Sequence, residues 1–498
     1  MSLSESIRAV WSIDPSAPAV EFEGRWHSWG ELAELGTALD AELTRAGIGS
    51  NAAVGVLLRN GPGTVGALLG LLATQRCVVT LNPIQGAERL AGEVRRLRLP
   101  ALVGAAREWR IDPLRSAAAE AGSLGLELTG DSGDPLRRVA GLDEPGAGPH
   151  HDPMPGVAVE MLTSGTTGPP KRIALLYASL DQSITGALHY ERRDASAPLA
   201  LRSGTAIVNA PLVHVSGLWR SLLNLAQGRK IVLMERFRLD AWLEIVRRHR
   251  PRTASLVPAA LKMVLDANVD PADLSSLKAI VCGTAPLPLE RQIEFQKLYG
   301  IPVLVSYGAT EFAGGVAGWT LPDHREWWER KQGSAGRAHP GTQLRVVDPE
   351  SFQPLPAGET GLLEVRSSQL GSDEWVRTTD VATLDADEFL WIHGRSDAAI
   401  LRGGFKIEPA EVAEAIERHP AVREVSVVGL PDERLGQVPV AAVVLDPAAA
   451  PVAPESLLEF ARERLAGYQV PTRLRIVSAL PRTPSLKVSQ PEVRALFE

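Results

Sequence analysis

Cysteine and long hydrophobic runs are scarce in this chain of 498 residues. Its two cysteines, Cys77 and Cys282, lie in apolar surroundings, which excludes a disulfide framework or a cysteine metal site and predicts inert, buried thiols. The most apolar stretch, residues 65–74, is too short to span a bilayer. The start, MSLSESIRAV, lacks a basic segment followed by an apolar one. We therefore expect a cytoplasmic, soluble protein without a membrane span.

Excess basic charge is also missing, and lysine is especially rare. The formal net charge of -7 and the pI near 5.9 argue against a binder of nucleic acid or anionic membranes. Only eight of the 52 basic residues are lysines, and none precedes Lys171. Because lysine and arginine differ in hydration and geometry, a lysine inside a motif indicates a requirement for a compact ammonium. The length predicts two or more domains, and the expected partner is a small molecule.

The segment MLTSGTTGPPKRIAL, residues 161–175, has the composition of a phosphate-binding loop. It is not a P-loop, because Gly165 and Gly168 are too close and Lys171 is followed by Arg172. The two glycines would still let backbone N–H groups converge, and Lys171 adds charge. The hydroxyl donors of the segment are Thr163, Ser164, Thr166 and Thr167. A solvated strand-to-helix turn is the alternative.

Alternating β-rich and helical patterns between residues 157 and 310 predict βαβ units and a parallel sheet. Four strand runs end in the loops TSGTTG, VHVSG, GTAPL and YGATE, at the carboxyl ends where α/β sheets bind ligands. Taken singly, His214 reads as a satisfied loop histidine, Tyr307 as a core aromatic and Glu311 as an ordinary first-turn acid. Together, phosphate donors, an aromatic platform and a carboxylate suited to magnesium favour one site.

The last hundred residues predict a small α+β unit. The helix EPAEVAEAIERH has Pro409 at a first helical position, and the runs VREVSVVGL and VPVAAVVL read as strands. The tail PRTPSLKVS places Lys487 on a turn.

The order of these motifs resembles the adenylate-forming superfamily, which includes acyl- and aryl-CoA synthetases, nonribosomal adenylation domains and luciferases. The resemblance covers nearly the whole chain: AVEFEGRWHSWGELA, VVTLNP, TSGTTGPPK, PLVHVSG, GTAPL, YGATE, RTTD, GRSDAAILRGGFKIEPAEV and PRTPSLKVS. It implies an α/β fold with a large N-terminal domain of mostly parallel sheets flanked by helices, residues 1–396, and a small mobile α+β domain, residues 397–498. It also implies that a carboxylate attacks the α-phosphorus of ATP, expelling pyrophosphate and forming an acyl-adenylate.

The resemblance implies a role for each matching residue. The phosphate loop, Thr163 to Gly168, would hold the β- and γ-phosphates together with Lys171. The adenine would be enclosed by Gly283, Thr284, Ala285, Pro286 and Tyr307. Thr310 would contact the α-phosphate, and Glu311 would hold Mg²⁺. Asp380 would bind the ribose of the nucleotide, and Arg395 would support the same nucleotide. Asp397 matches the hinge of the small domain, and Lys487 matches the lysine that bridges the acyl carboxylate and the α-phosphate.

Three residues depart from the family pattern, which usually has glycine at each position: Arg172, Thr379 and Leu486. Leucine disfavours backbone angles that glycine allows, so Leu486 affects the backbone conformation next to Lys487. The segment SSQLGSDEW before Val376 is also short for the family. A nucleotide-binding scaffold without catalysis is therefore an alternative.

The resemblance also bears on the substrate and the acceptor. Amino-acid adenylation domains usually carry an aspartate where this chain has His214, so the expected substrate is a carboxylic acid without an α-amino group. The predicted acyl pocket is roomy and mostly apolar and comprises His214, Val213, Ser216, Gly217, Gly308 and Gly314. Coenzyme A is the expected acceptor because Gly403 and Gly404 resemble the glycines that admit its pantetheine arm, and Lys406 is a candidate contact to a CoA phosphate. A carrier protein is the alternative acceptor, and we expect it to act in trans because the sequence after Lys487 is too short for a carrier domain.

Overall fold

The structure is a computed structural model that describes residues 1–131, 133–162, 171–190, 198–396, 398–403, 405–483 and 486–498, without the side chains of 188–190 and 406. It divides into two compact units. Unit 1 comprises the described parts of Met1–Thr163, Arg172–Gln343 and Arg366–Glu374. Unit 2 comprises Lys171 and the described parts of Leu344–Val365 and Trp375–Glu498.

The described α-helices are α1 (Leu3–Trp11), α2 (Trp29–Arg45), α3 (Pro62–Ala73), α4 (Ala87–Leu97), α5 (Asp112–Ala121), α6 (Tyr177–Tyr190), α7 (Val215–Leu225), α8 (Leu239–His249), α9 (Pro258–Asp266), α10 (Leu289–Tyr299), α11 (Leu321–Trp327), α12 (Pro409–Glu417), α13 (Pro454–Arg462) and α14 (Gln490–Ala495). Short 3-10 turns include Thr310–Phe312 and Ser368–Leu370.

The described strands of unit 1 are β1 (Pro18–Phe22), β2 (Arg25–Ser28), β3 (Ala53–Leu57), β4 (Cys77–Leu81), β5 (Ala101–Ala105), β6 (Leu124–Asp131), β7 (Asp134–Arg138), β8 (Val157–Leu162), β9 (Arg172–Leu176), β10 (Arg202–Val208), β11 (Arg229–Leu233), β12 (Thr253–Leu256), β13 (Ala279–Gly283), β14 (Val303–Ala309), β15 (Gly314–Gly318) and β16 (Arg337–Ala338). The strands that follow are β17 (Thr342–Val347), β18 (Thr360–Ser367), β19 (Val376–Leu384), β20 (Leu390–Arg395), β21 (Ile400–Arg402), β22 (Phe405–Ile407), β23 (Val422–Asp432), β24 (Gly436–Leu445) and β25 (Arg473–Ile476).

The largest sheet of unit 1 has seven strands in the order β7-β6-β5-β3-β4-β8-β9. Its central strands are parallel and its two edge strands are antiparallel. The apolar stretch 65–74 forms most of the buried helix α3. Helix α3 crosses α2 so closely that a Cβ at Gly70 would lie 2.6 Å from the Gly36 Cα. Glycines at this crossing allow the two helices to pack backbone to backbone.

The predicted motif strands are present but belong to three sheets rather than one. Strand β8 lies in the seven-stranded sheet, β10 in the sheet β10-β11-β1-β2, and β13 and β14 in the sheet β12-β13-β14-β15-β16. The pairs β12–β13 and β13–β14 are parallel. A further strand, β9, runs antiparallel to β8 before α6 begins, which the alternating sequence pattern did not reveal. The α/β fold class is confirmed, with its strands distributed over several sheets.

Unit 2 is built on antiparallel pairing. One sheet has the order β17-β18-β19-β20 and the other the order β22-β21-β24-β23, with β25 parallel to β24. The predicted helix and two strands are α12, β23 and β24, and Pro409 is the first residue of α12. Proline suits this position because its missing N–H would lack an intrahelical acceptor there anyway. The α+β character predicted for the C-terminal region is therefore confirmed.

Both cysteines are buried, and burial raises the pKa of each thiol, that of Cys282 to about 12. Among the described residues, no helix is long and apolar enough to cross a membrane.

Candidate active site

The strand that follows the phosphate-loop segment is anchored by Arg172, one of the three departures from glycine. Its guanidinium donates to the backbone oxygens of Glu160 at 3.0 Å and Thr80 at 3.3 Å, and it pairs with the Glu93 carboxylate. Burial holds the pKa of Arg172 below its ordinary value. The arginine therefore fixes the first residue of β9 to β4, β8 and α4. The loop itself, including Thr163, Ser164, Gly165, Thr166, Thr167 and Gly168, lies outside the described residues.

The PLVHVSG segment, residues 211–217, is held by a buried asparagine that lies far away in the sequence. The Asn60 Nδ2 donates to the Ala210 oxygen at 3.1 Å and to the Met234 oxygen at 2.8 Å. Its Oδ1 accepts from the Leu212 N–H at 2.7 Å. All three bonds are made by one side chain that is 3% exposed. Asn60 therefore fixes the connection between β10 and α7.

His214 is the N-cap residue of α7, and its backbone oxygen accepts from Gly217 and Leu218. Val213 is 8% exposed, and Ser216 is partly buried. A Cβ at Gly217 would lie 2.2 Å from the Pro211 oxygen, so only glycine allows this turn to fold back so tightly. The predicted pocket residues of this segment are thus gathered at the start of α7.

The hairpin of β14 and β15 presents Tyr307, Thr310 and Glu311. Tyr307 is partly buried with its ring 6.4 Å from that of Phe312, and Glu311 is exposed on the 3-10 turn. The turn is held by Gln369, whose Nε2 donates to the Phe312 oxygen at 2.6 Å and to the Gly315 oxygen at 3.2 Å. The short segment 367–375 therefore supports the carboxylate that we expect to bind metal.

GTAPL, residues 283–287, lies beside this hairpin because β13 pairs with β14. Gly283 is in register with Ser306, and a Cβ on it would lie 2.7 Å from the Ser306 oxygen. Thr284 has φ +79°, a conformation that costs a β-branched residue about 1–3 kcal/mol. Strain of this kind concentrates at binding sites, where the surrounding structure maintains it.

Helix α7 and the β14–β15 hairpin are joined by a serine of α6. The Trp219 Nε1 donates to the Ser183 Oγ at 2.8 Å, and that hydroxyl donates to the Ala313 oxygen at 3.2 Å. A Cβ at Gly314 would lie 3.1 Å from the Ser183 Oγ and 3.3 Å from the Trp219 Nε1. At Gly308, a Cβ would lie 2.2 Å from the Gly314 oxygen. Unit 1 therefore brings three of the four predicted loops into one region, namely VHVSG, GTAPL and YGATE.

In unit 2, the two predicted nucleotide ligands face one another. Asp380 of β19 and Arg395 of β20 are directly opposite in the antiparallel ladder. Residues paired in this way have side chains within reach of a common ligand. Thr379, the second departure from glycine, is exposed, and its backbone oxygen accepts from the Ser396 N–H at 2.7 Å and the Ser396 Oγ at 3.0 Å. The hinge candidate Asp397 lies outside the described residues.

The glycine pair expected at the pantetheine arm falls between β21 and β22, which form an antiparallel pair. Gly403 has φ +55°, and its N–H donates to the Leu435 oxygen at 2.8 Å. Gly404 lies outside the described residues.

Lys487 lies at the base of a small loop whose ends are hydrogen bonded. The Thr483 N–H donates to the Lys487 oxygen at 2.8 Å, and the Leu486 N–H donates to the Thr483 oxygen at 2.9 Å. Arg482 clamps the loop by donating to the Leu486 oxygen at 2.7 Å and to the Glu424 carboxylate at 2.6 Å. Leu486 has φ +64°, the left-handed conformation that glycine would adopt without strain. The third departure therefore keeps the backbone geometry of a glycine.

Sequence reasoning missed the residues that hold these loops in place: Asn60, Ser183, Arg482 and Gln369. Asn60 and Ser183 lie outside every quoted motif, and Gln369 and Arg482 lie inside quoted segments that do not mark them as supports, because each residue bonds to a segment distant along the chain. From the sequence, Arg172 is identified only as a departure from the glycine of the family pattern, and its anchoring role is not.

An α/β unit that carries the predicted nucleotide loops, with a separate α+β unit that carries the Lys487 segment, is the arrangement of the adenylate-forming class of proteins. The family model described as "AMP-binding enzyme" matches residues 8–372, and "AMP-binding enzyme C-terminal domain" matches residues 411–487. The chain therefore belongs to the AMP-binding enzyme family of the adenylate-forming superfamily.

Three known proteins illustrate the relationship. The indoleacetate–CoA ligase of Aromatoleum aromaticum is 30% identical over 526 residues, which cover 100% of this chain and 98% of that one. The fatty acid–[acyl-carrier-protein] ligase ScoC of Streptomyces coeruleorubidus is 32% identical over 376 residues, covering 70% and 69%. The crystal structure of ATP-bound MatB from Rhodopseudomonas palustris has a TM-score of 0.83 at 22% identity, covering 100% and 99%, which supports the fold.

Proposed function

We propose that this protein is an acid–CoA ligase, an acid–thiol ligase that activates a carboxylic acid with ATP and transfers the acyl group to coenzyme A. The observation that carries the proposal is the Lys487 loop. The left-handed backbone at Leu486 and the hydrogen bond from Arg482 fix the backbone immediately before the lysine despite the missing glycine. A scaffold without catalysis would have no need to maintain that conformation at a leucine.

In the first half-reaction the acid's carboxylate attacks the α-phosphorus of ATP, an acyl-adenylate forms and pyrophosphate leaves. Both reactants are anionic, so the protein must neutralise charge and align them. Lys487 stabilises the charge between the carboxylate and the α-phosphate, and Thr310 contacts that phosphate. A positioned cation of this kind lowers the activation free energy most where it stabilises charge that develops in the transition state.

The remaining residues bind and orient the nucleotide. The adenine lies against Tyr307 and residues 283–286, and the ribose lies against Asp380 with Arg395 beside it. The phosphate loop and Lys171 hold the β- and γ-phosphates. Mg²⁺ fits this donor set, because Glu311 supplies an exposed carboxylate and a bound nucleotide supplies phosphate oxygens. The ion would neutralise phosphate charge when bound.

The acid occupies a pocket lined by His214, Val213, Ser216 and the glycines near the β14–β15 hairpin. Having His214 in place of an aspartate disfavours substrates with an α-amino group. In the second half-reaction the CoA thiol attacks the acyl carbonyl carbon and AMP leaves. Gly403 and Gly404 admit the pantetheine arm, and Lys406 contacts a CoA phosphate. We place the enzyme in the cytoplasm, where ATP and CoA are available.

A carrier protein is the alternative acceptor. ScoC, whose name specifies an acyl-carrier-protein acceptor, supports it through 32% identity over 376 residues. This alternative differs from the first only in the second half-reaction.

The test measures pyrophosphate release with a panel of fatty, aryl and polycyclic acids, followed by acyl transfer to CoA or to a phosphopantetheinylated carrier. Acid-dependent pyrophosphate release with thioester formation on CoA is expected. Transfer to the carrier alone would establish the alternative. Nucleotide binding without pyrophosphate release by any acid would leave only the scaffold.

A further inference from the structure

Unit 1 contains a partly buried cation for which the described residues provide no counter-ion. Arg220 of α7 is partly buried, and the described residues provide neither an ion pair nor a hydrogen bond for its guanidinium. Burial is the main cause that lowers its pKa, to about 10, so the side chain stays charged at neutral pH. Among the described residues, the one titratable neighbour that acts on it is Cys282, whose pKa is raised to about 12 and which remains an uncharged thiol.

Even partial burial of an unpaired charge carries a desolvation cost. Elsewhere in unit 1 buried arginines are paired: Arg172 with Glu93, and Arg76 with Asp40 at 2.5 Å. Desolvation of an unpaired cation costs several kcal/mol, so a buried arginine is normally paired. Arg220 therefore has the properties of a binding group, whose partner arrives with a ligand.

Arg220 lies next to the predicted acyl pocket. It lies four residues after Ser216 and three after Gly217, so all three share one face of α7. Helical side chains lean toward the N-terminus, which directs the guanidinium back toward the turn at His214. Cys282, the titratable group whose charge would act on it, is immediately followed by Gly283 of the GTAPL loop. Trp219 on the same helix reaches the β14–β15 hairpin through Ser183.

We infer that Arg220 binds a second anionic group of the substrate, so that the enzyme activates acids carrying a carboxylate or sulfonate remote from the carboxylate that is adenylated. The inference rests on the proposed function and specifies its substrate class. A guanidinium suits this task because it donates two parallel hydrogen bonds to a carboxylate or sulfonate. The remote anion would supply the counter-charge that the described residues lack.

The experiment compares pairs of acids of equal length in the pyrophosphate assay: glutarate with valerate, terephthalate with 4-methylbenzoate, and 3-sulfopropionate with butyrate. The wild type is expected to prefer the dianionic member of at least one pair by tenfold or more in kcat/KM. Arg220→Met should lower kcat/KM for that acid by at least about thirtyfold and change it less than threefold for the partner acid. Arg220→Lys should recover part of the loss. Comparing the 3-sulfopropionate pair with the two dicarboxylate pairs shows whether the preferred remote anion is a sulfonate or a carboxylate.

Arg95→Met is the matched control, because Arg95 is an exposed arginine of α4 paired with Glu120 at 2.6 Å. It should leave both members of each pair unchanged. Thermal melting supplies a second readout: Arg220→Met should melt no lower than the wild type, and only the wild type should be stabilised by the preferred dianionic acid without ATP. The inference is overturned if monoanionic acids are used as well as or better than their dianionic partners, or if Arg220→Met affects both equally. Absence of pyrophosphate release with every acid would overturn the proposed function instead, while the melting measurement would still decide whether Arg220 binds an anion.

Discussion

At the scale of single residues, Leu486 is the direct neighbour of Lys487, the proposed catalytic lysine. A leucine in place of glycine suggests that the lysine loop has lost its shape, yet the leucine adopts φ +64°. The loop's own hydrogen bonds and the Arg482 clamp hold it there. Sequence alone could identify Lys487 and the anomaly beside it. It could not show that contacts from Arg482 and Glu424 outweigh a penalty of about 1 kcal/mol.

Leu486→Gly should therefore stabilise unit 2 by up to about 1 kcal/mol, because glycine adopts the left-handed conformation without strain, although it loses more entropy on folding. Urea unfolding followed by circular dichroism would measure the change. The same substitution in a helix, Leu298→Gly in α10, is the control and should destabilise by about 1 kcal/mol. A less stable Leu486→Gly variant would show that the leucine side chain matters more than backbone strain.

Lys487→Ala should lower adenylation by about a hundredfold or more, since it removes a positioned donor from the charge that develops at the α-phosphate. Thioester formation from a supplied acyl-adenylate should be nearly unaffected, because the mixed anhydride is already formed. The two half-reactions would be measured separately in the purified variant. Lys278→Ala is the control, because Lys278 is exposed just before β13, at the end of that strand opposite to GTAPL. Undiminished adenylation would remove Lys487 from the mechanism.

At the scale of elements, the alternating pattern correctly located strands β8, β10, β13 and β14 and the loops after them. It could not assign these strands to three sheets, because sheet membership depends on pairing with segments far away, such as β10 with β11 and β11 with β1. The supports of the loops were equally hidden. Asn60 lies 150 residues before the Ala210 oxygen that it binds, and no local pattern marks it.

Asn60→Asp tests how far one buried side chain positions the PLVHVSG loop. The change preserves size but replaces the amide donor with a carboxylate that faces the Ala210 and Met234 oxygens. Loss of those two bonds should destabilise unit 1 by about 2–3 kcal/mol and raise KM for the acid. Asn268→Asp, at an exposed position after α9, should change stability by less than about 0.5 kcal/mol. Wild-type stability and KM in Asn60→Asp would refute the positioning role.

At the scale of the whole molecule, motif order carried more information than any single motif. The family models match residues 8–372 and 411–487, and the motifs quoted from the sequence fall in both parts and in the connection. The connection, residues 373–410, contains Asp397, which is proposed as the hinge from its place in the sequence motif alone. Two half-reactions with different attacking groups require different residues at one acyl centre, and rotation of a small domain is an economical way to exchange them.

Asp397→Pro should therefore separate the two half-reactions. Proline fixes φ near −65° and removes an N–H, so it restricts the backbone change that rotation requires. Adenylation should continue at close to the wild-type rate if proline favours the first conformation, while thioester formation from a supplied acyl-adenylate should fall at least tenfold. Asp397→Ala removes the carboxylate but leaves φ free, and both half-reactions should persist in it. Single-turnover measurement of each step with saturating CoA would provide the comparison. Equal loss of both steps in the proline variant, accompanied by a lower melting temperature, would indicate a local folding defect and would contradict a hinge at this residue.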